Sequence, residues 1–403
     1  MTAPLWPFGP DWSDSVRLGY AFSTEIITSR SGKEQRFALR SEPRIEMEFT
    51  ALVSEFDFTS TVGFLASQHN LQVMMPNWSM PTRLSELSTI GSSVIKVDVV
   101  EEWMVVGKNF ALIGGDPSLT ISRVHTISAI SGRNLTLGVP LDLDADDGFA
   151  VYPMWAGHLN VKLAGKMLSD RMMTVGVKFA VDPGFENLPS VPSAPLSHLG
   201  RDLFLTEPNW STDLTNSFST VLESVDYGNS RMAFFTPVPF NSRQTSLSYV
   251  AENRAEALTF LALYRRLLGQ QGEFFMPTFT EDLRLRIDRA VGAVNIRLVG
   301  TGALDNFSDS TVYKNIAFIF EDGSIEVHTV ASIWSLSDSL GDDCVITIGE
   351  GLTRAVHRDE LSMVCWLPLW RMLSDEIVIQ WRTDQIADIG LSMTTIESLD
   401  EET

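Results

Sequence analysis

The sequence predicts a mainly β protein of two tandem homologous units, each a β-barrel or sandwich with one packed α-helix and an inserted small β-domain. Three observations predict this: short motifs recur between the halves of the chain, apolar and polar residues alternate over many short runs, and each half holds one helical pattern. A chain of 403 residues is long enough for two domains with substantial cores.

The recurring motifs keep the same order in both halves. They pair Pro10 with Pro208 (PDWS, PNWS), Phe22 with Phe218 (FST), Gly32 with Gly228, Phe64 with Phe260 (FLA), Pro76 with Pro277 (MPNW, MPTF), Val124 with Val327 (VHT) and Trp155 with Trp370 (YPMW, LPLW). A period near half the chain predicts a duplicated large unit and not a solenoid of short repeats.

The duplication and the proline distribution define the expected boundaries. We predict a first barrel unit at 1–182 with an inserted β-domain at about 88–156, a linker at 183–204, a second barrel unit at 205–392 with an inserted β-domain at about 290–370, and an acidic tail at 393–403. The linker is expected to be semi-rigid, because its four prolines disfavour both helix and sheet.

Alternating patterns place the strands. In RIEMEFTAL the apolar Ile45, Met47 and Phe49 alternate with charged residues, which is the period of a strand with one wet face. The same alternation marks HLNVKLAG from His158, TVGVKFAVD from Thr174 and EIVIQW from Glu376. These strands are expected to pair antiparallel.

Helical spacing occurs once in each half. In the second half, Asn253 and Glu256 form a capping box, Gly269 is a C-terminal stop, and the apolar stripe comprises Ala257, Phe260, Leu261, Tyr264, Leu267 and Leu268. A shorter helix is expected around Val62, Leu65 and Ala66.

The composition argues against nucleic-acid recognition. The formal net charge is −21 at pH 7, whereas proteins that bind phosphate backbones use clustered Lys and Arg. We therefore expect no specific nucleic-acid binding. Hydrophobic residues make up 44% of the chain and charged residues 20%, a balance that leaves apolar area for contacts between subunits.

No targeting or membrane-spanning segment is expected. The N-terminal MTAPLWPFGP lacks the basic and apolar regions of a secretory signal, and no run approaches the ~20 apolar residues of a spanning helix. In a chain that is not secreted, Cys344 and Cys365 are expected to be reduced and buried. The cysteines and histidines show no zinc spacing.

The loop DLDADDG is the most site-like stretch of the chain. Asp142, Asp144 and Asp146 have the alternating oxygen ligands of a calcium loop. The expected glycine comes one residue late, at Gly148, and Pro153 stands where the bidentate glutamate belongs. A solvated hairpin is therefore favoured over a metal site.

Other candidate chemistry is weaker still. Ser93 and Lys96 match the S-x-x-K of Ser/Lys nucleophiles, but they lie in a strand-like run without the accompanying motifs. His125 and His328 recur with the unit in alternating patterns, which favours a role in the fold over a paired His–carboxylate site. We expect no enzyme: no catalytic, cofactor-binding or metal-binding residue is assigned.

The segment SGKEQRFALRSEPR carries charges of both signs. Lys33, Arg36, Arg40 and Arg44 are interspersed with Glu34 and Glu42. Two interpretations have equal weight: a solvated strand face, or salt bridges between subunits that fix their register.

One stretch of the first unit resembles a known family. TEIITSRSGKEQRFALRSEPRIEMEF, from Thr24 to Phe49, is followed by a short helix, an MPNW strand, an inserted β-domain closing on VYPMW and final alternating strands. This order resembles tail-tip proteins of long-tailed bacteriophages, in particular the distal tail and baseplate hub proteins that share the tail-tube barrel. The second half is diverged, with SRMAFFTPVPF in place of EQRFALRSEPR. The resemblance implies tail-tube-like barrels, no catalytic residues and no cofactor.

The resemblance also implies partners and location. Such proteins form a ring that continues the tail tube, extends the DNA channel and joins it to the host-binding tip. The expected partners are copies of the chain itself, the tail tube protein, the tape measure protein and other tail-tip, hub or fibre proteins in the virion. A six-fold tube needs six barrels, which three two-unit subunits or six subunits provide. The duplication favours a trimer with pseudo-six-fold symmetry, and a hexamer stays open.

Two other functional classes fit parts of the sequence. Exposed tryptophans such as Trp78 or Trp334 would stack on sugars if the units were carbohydrate-binding modules for a host surface. A hydrolase is the weakest alternative, because no paired nucleophile and base is visible.

Overall fold

The protein is mainly β, as the sequence predicts, with 49% strand and 6% helix. The computed structural model describes residues 4–397 apart from 7, 54–62, 65, 67–71, 115–120, 161–163, 171, 185–187, 189, 212, 230 and 239. Nineteen strands of the described chain connect into one large mixed sheet, and the others form smaller sheets.

The strands up to residue 181 are short and mostly alternate between buried and exposed side chains. They are β1 (Val16–Ala21), β2 (Thr24–Thr28), β3 (Glu34–Ala38), β4 (Arg44–Val53), β5 (Gln72–Pro76), β6 (Thr82–Arg83), β7 (Val94–Lys96), β8 (Asn109–Gly114), β9 (Ile121–Ser131), β10 (Asn134–Leu137), β11 (Ala150–Leu159), β12 (Ala164–Met167) and β13 (Met173–Val181).

The remaining strands and two helices follow from residue 197 onward. They are β14 (Ser197–His198), β15 (Arg201–Leu203), β16 (Thr215–Ser219), β17 (Glu223–Asp226), β18 (Met232–Phe235), β19 (Ser242–Ala251), α1 (Arg254–Leu267), β20 (Phe274–Phe275), β21 (Asn295–Leu298), α2 (Gly302–Phe307), β22 (Asn315–Phe320), β23 (Ile325–Asp338), β24 (Gly341–Ile348), β25 (Leu361–Trp366), β26 (Leu369–Met372), β27 (Glu376–Trp381) and β28 (Ala387–Thr395).

In the first half, β4 and β13 lie at the centre of the sheet. Strand β4 pairs with β1 on one side and β13 on the other. Strand β13 in turn pairs with β11 and β12, and β11 pairs with β5. Beyond this sheet, β11 continues into β8, which leads through β9 and β10 to β7.

In the second half, β19 and β28 take the central place. Strand β19 pairs with β16 and β28. Strand β28 in turn pairs with β26 and β27, and β26 pairs with β20. Strand β25 pairs with β22, which leads through β23 and β24 to β21.

Four buried clusters of the described residues hold these sheets together. The largest combines side chains of both halves, among them Met47 of β4, Tyr249 of β19 and Ile389 of β28. A second core lies within residues 84–151 and a third within residues 283–366. A small fourth cluster joins the third core region to β20 and β26 through Phe275 and Leu369. The inserted regions therefore carry apolar interiors of their own, and burial of this area is the main stabilising term in each.

Helix α1 has the caps that the sequence predicts. The Asn253 side chain accepts a hydrogen bond from the Glu256 amide at 2.9 Å, and Glu256 accepts one from the Glu252 amide at 2.9 Å. At the other end, Leu268 adopts the left-handed conformation and Gly269 follows with φ of 73°. The helix predicted in the first half falls mostly outside the described residues. Val62 and Leu65 are not among the described residues, and Ala66 is helical.

Two segments that the sequence predicts to be linker and tail contain strands. Within residues 183–204, β14 and β15 form a hairpin, and β15 pairs in parallel with β20. Strand β28 includes Met393 and Thr395, which the sequence-based boundary assigns to the acidic tail. Both are buried, because Met393 continues the apolar alternation into the main core. Residues 398–403 lie outside the described part of the chain.

The two cysteines are free and buried, as predicted. Cys344 lies in β24 and Cys365 in β25. Burial raises the pKa of both thiols, and that of Cys365 to about 12. A thiol that stays protonated at neutral pH is a poor nucleophile, which indicates a packing role.

A buried ion-pair network ties β21 to β24. The Asp343 carboxylate accepts hydrogen bonds from Arg286, from Arg297 Nε at 2.7 Å and from the Gly300 amide at 3.0 Å. Arg297 also bonds Asp338 through two nitrogens, at 2.6 and 2.8 Å. The hydrogen bond from Arg286 holds the pKa of Asp343 well below its usual range.

We predict that Asp343→Asn lowers the melting temperature at pH 7, because it leaves Arg286 and Arg297 facing a neutral partner. The folded pKa lies below the unfolded value of about 4, so the carboxylate contributes its full stability above that pH and loses it as the pH falls. The difference in melting temperature between wild type and variant should therefore narrow from pH 7 to about pH 2. Asp359→Asn, at an exposed turn, is the control; an undiminished difference in acid would contradict the prediction.

Candidate assembly interface

The two halves of the chain join through a continuous β-sheet. Strand β1 lies between β4 of its own half and β27 of the other, in register from Val16 opposite Trp381 to Ala21 opposite Glu376. Leu18 and Tyr20 of β1 are buried at this junction. Main-chain pairing along a whole strand satisfies an edge that would otherwise be open.

Four charged side chains attach the β2–β3 hairpin to the second half. Arg36 Nη2 donates to Glu273 at 2.9 Å, and Arg371 donates to Glu34 through Nε and Nη2 at 2.8 and 2.9 Å. None of the four side chains is more than 17% exposed. The two-nitrogen contact of Arg371 is the geometry that makes such pairs both strong and specific.

The two ends of the hairpin are also fixed. At its base, the Asp375 carboxylate accepts hydrogen bonds from the Thr24 amide at 2.6 Å and from the Gln270 amide at 3.0 Å. Towards its tip, Gly32 has φ of +84°, and a Cβ there would lie 2.9 Å from Val238. Only glycine allows this close approach of backbone to side chain without strain.

Two strands at the outer limits of the described sheet have one open edge. Among the described strands, β16 pairs with β19 alone and β12 with β13 alone. Every residue of β16 and of β12 is exposed. Open edges of this kind are sites where a strand of another chain adds to the sheet.

The β17–β18 hairpin and the end of β16 carry an exposed apolar surface, here called the apolar hairpin. Its members and their exposed fractions are Phe218 (68%), Leu222 (57%), Tyr227 (60%), Met232 (56%) and Phe234 (60%). Concentrations of exposed large apolar side chains are typical of interaction surfaces.

The three aspartates of the calcium-like loop do not converge. Asp142 pairs with Arg123 at 2.7 Å, Asp144 accepts from the Ile90 amide and Asp146 from the Gly148 amide. Each carboxylate therefore stabilises a local turn or strand contact. No group of three or more His, Cys, Asp or Glu in the described chain is arranged to hold a metal.

The repeated histidines occupy matching places in the inserted regions. His125 lies in β9 opposite Phe110, and burial lowers its pKa. His328 lies in β23 and its Nε2 is 2.7 Å from Glu326. Both side chains are buried, which supports a role in packing.

The Lys of the S-x-x-K match and the two candidate sugar-stacking tryptophans each have contacts with other residues of the fold. Lys96 of the S-x-x-K match forms an ion pair with Glu86. Trp78 is 3% exposed and packs against Phe49 and Tyr152, so the expectation that it stacks on sugars is wrong. Trp334 is 41% exposed, and its Nε1 lies 3.3 Å from Thr347 Oγ1.

The mixed-charge segment is not a simple solvated face. Glu34 and Arg36 are largely buried against the second half, and Glu42 lies 3.3 Å from Arg265 of α1. These contacts lie within one chain, which neither interpretation of the segment anticipates. The sequence also did not identify the apolar hairpin, although four apolar residues in succession in MAFF (Met232–Phe235) were a signal for it.

Comparison with protein-family models and with curated proteins finds no match to this chain. Within the described residues, no helix is long and apolar enough to cross a membrane.

We predict that Glu34 and Arg371 are energetically coupled. A double-mutant cycle of Glu34→Gln and Arg371→Met, measured by denaturant unfolding, should give a coupling of about 1–3 kcal/mol, because the pair is nearly buried and bonded through two nitrogens.

The control cycle uses Lys178 and Glu48, a pair whose side chains are 46% and 41% exposed. Its coupling should stay below about 1 kcal/mol because solvent screens it. Equal coupling in the two cycles would argue against a special role for the hairpin contact.

Proposed function

We propose that this protein is a structural virion protein that forms a ring at the distal end of a phage tail, connects the tail tube to the host-binding tip and extends the DNA channel. The observation that carries the proposal is that β1 pairs with β27 inside the chain, whereas β16 and β12 each pair on one side only within the described sheet. The Thr24–Phe49 stretch and its following order of elements supply the resemblance to distal tail and hub proteins.

The tandem-unit arrangement is supported by the strand pairings. The first half has β1–β4, β4–β13, β13–β11, β11–β5 and β12–β13, and the second half has β16–β19, β19–β28, β28–β26, β26–β20 and β27–β28 in the same relative order. The inserted regions likewise share the order β11–β8–β9–β10–β7 and β25–β22–β23–β24–β21.

Individual hydrogen bonds keep the same register. The Asp11 amide donates to the Thr50 carbonyl at 2.7 Å, and the Asn209 amide to the Ser248 carbonyl at 2.8 Å. These bonds hold the PDWS and PNWS segments in matching places. Correspondence at the level of single bonds is what a duplicated unit requires.

The inserted regions repeat a side-chain contact as well. Thr126 donates to the Asn109 side chain at 2.7 Å, and Thr329 donates to the Asn315 side chain at 2.9 Å. Thr126 and Thr329 are the last residues of the two VHT motifs, so this echo is in structural register.

The pairings replace three of the sequence echoes. Gly32 corresponds to position 230 and not to Gly228, because Glu34 and Met232 begin the second strand of the two hairpins. Phe218 corresponds to Tyr20 and not to Phe22, because the registers of β16 on β19 and β1 on β4 align that way. Trp370 corresponds to Gly157 and not to Trp155.

A ring follows from repeating one contact. A head-to-tail interface between unlike surfaces closes into a ring when its rotation allows. Three copies would supply six units to match a six-fold tube, with the tail tube protein, the tape measure protein and other tail-tip or fibre proteins as partners. The net charge of −21 would let DNA pass a lumen without binding to it.

We predict that the purified protein forms a closed oligomer, three copies being favoured, either alone or when mixed with tail tube protein. Light scattering after size exclusion measures the mass, and negative-stain images should show an open centre with six lobes. Strict monomers under both conditions would contradict the proposed function.

A further inference from the structure

We propose that the partner of the open edges is a second copy of this chain: β16 of one copy pairs antiparallel with β12 of the next, and the apolar hairpin of the first copy seats on the second copy's first half. The inference rests on the proposed function, because it uses the correspondence of the two units. It specifies which strands, which register and which side chains make the contact.

The register comes from the junction already present in the chain. Strand β1 corresponds to β16, and β27 corresponds to the segment that ends in β12, because β12 pairs with β13 as β27 pairs with β28. Carrying the β1–β27 register over places Ser217 opposite Ala164, and Leu214 opposite Met167, of a second copy. Pairing in this register would satisfy both open edges at once.

The apolar hairpin corresponds to a hairpin that is already covered. Tyr20 is 2% exposed whereas its counterpart Phe218 is 68% exposed. Arg36 is 13% exposed, and its counterpart Phe234 is 60% exposed. The positions that the internal junction buries are therefore the positions that the second hairpin leaves open, which is the pattern expected when the covering surface belongs to another copy.

The residues at corresponding positions of the two hairpins differ in charge. Within the chain, the charged Glu34 and Arg36 meet Arg371 and Glu273. On the second hairpin these two positions are Met232 and Phe234, both apolar.

The surface they would meet carries different polar groups, because Gln72 Nε2 donates to Asp182 at 3.2 Å and His158 Nδ1 lies 2.7 Å from Asp182. Gln72 and His158 are opposite each other in the β5–β11 register, at the places that Glu273 and Arg371 hold in the second half. Met167 and Leu168, at the opposite end of β13 from His158, are 55% and 52% exposed, and Met167 is the residue opposite Leu214 in the proposed pairing.

This difference favours one seating of each hairpin over the other. A β2–β3 hairpin placed on another first half would bury Glu34 and Arg36 without Arg371 and Glu273, and would bring Glu34 towards the Asp182 carboxylate. An apolar hairpin placed on a second half would leave Arg371 without Glu34, and Glu273 with Arg201 but without Arg36. Alternation of first and second units around the ring is therefore favoured.

The first test is a cysteine cross-link between copies. Ser217→Cys and Ala164→Cys are made in separate proteins with different tags, mixed and oxidised, so that a disulfide between the two tags joins two chains. Residues opposite each other in an antiparallel pair have the spacing that a disulfide needs. We expect efficient cross-linking, and much less between Ser217→Cys and Lys166→Cys, which is out of register.

Three outcomes are distinguishable. Cross-linking in the stated register supports the inference. A closed oligomer by light scattering that fails to cross-link would overturn the strand pairing and leave the proposed function standing. Strict monomers, alone and with tail tube protein, would overturn both.

The second test introduces a charge on the apolar hairpin and then supplies a partner for it on the other copy. Phe234→Arg should weaken self-association at least about tenfold, since it buries an unpaired charge. Adding Gln72→Glu together with Asp182→Asn, which removes the carboxylate that Gln72 contacts at 3.2 Å, recreates the Arg36–Glu273 pair between copies and should recover most of the loss.

Phe235→Arg is the matched control, because the corresponding Phe37 stays 48% exposed at the internal junction. This variant should associate as wild type does. Equal weakening by Phe234→Arg and Phe235→Arg, or no rescue by Gln72→Glu with Asp182→Asn, would overturn the proposed seating of the hairpin.

Discussion

The open edge of a β-sheet is the constraint on which the rest of this structure depends. Backbone amide and carbonyl groups on an edge strand need partners, and a long unpaired edge invites association. Strand β1 meets this need with β27 of the same chain, whereas β16 and β12 pair on one side only within the described sheet. The proposed ring rests on this difference: the β1 edge is paired within the chain, and the edges of β16 and β12 would be paired between copies.

The side chains differ between the internal junction and the exposed hairpin. The internal junction is held by Glu34 and Arg36, which are specific but costly to bury without their partners. The apolar hairpin carries Phe234 at the place of Arg36. Burial of apolar area is favourable and does not depend on the direction of the contact. In the proposed ring, charge selects the neighbour within the chain and apolar burial joins the copies.

The inserted regions have apolar interiors of their own, and the second also packs on the central sheet. Each has its own apolar core, and the second is also held by the network around Asp343. A shared cluster joins Ala317 and Cys365 of the second region to Phe275 and Leu369 of the central sheet. Substitutions within this shared cluster would therefore affect both the inserted region and the central sheet.

The sequence by itself determined the mainly β class, the strand at Arg44–Val53, the capped helix α1 and the buried free cysteines, because each depends on local periodicity or composition. Its alternation could not reveal that Glu34 and Arg36 are buried, since their partners Arg371 and Glu273 are more than 200 residues away. Nor could local patterns show that Phe218 is exposed while Tyr20 is buried, because exposure depends on which strand lies alongside. Only the tertiary structure decided which edges are paired, because pairing depends on strands far apart in the sequence.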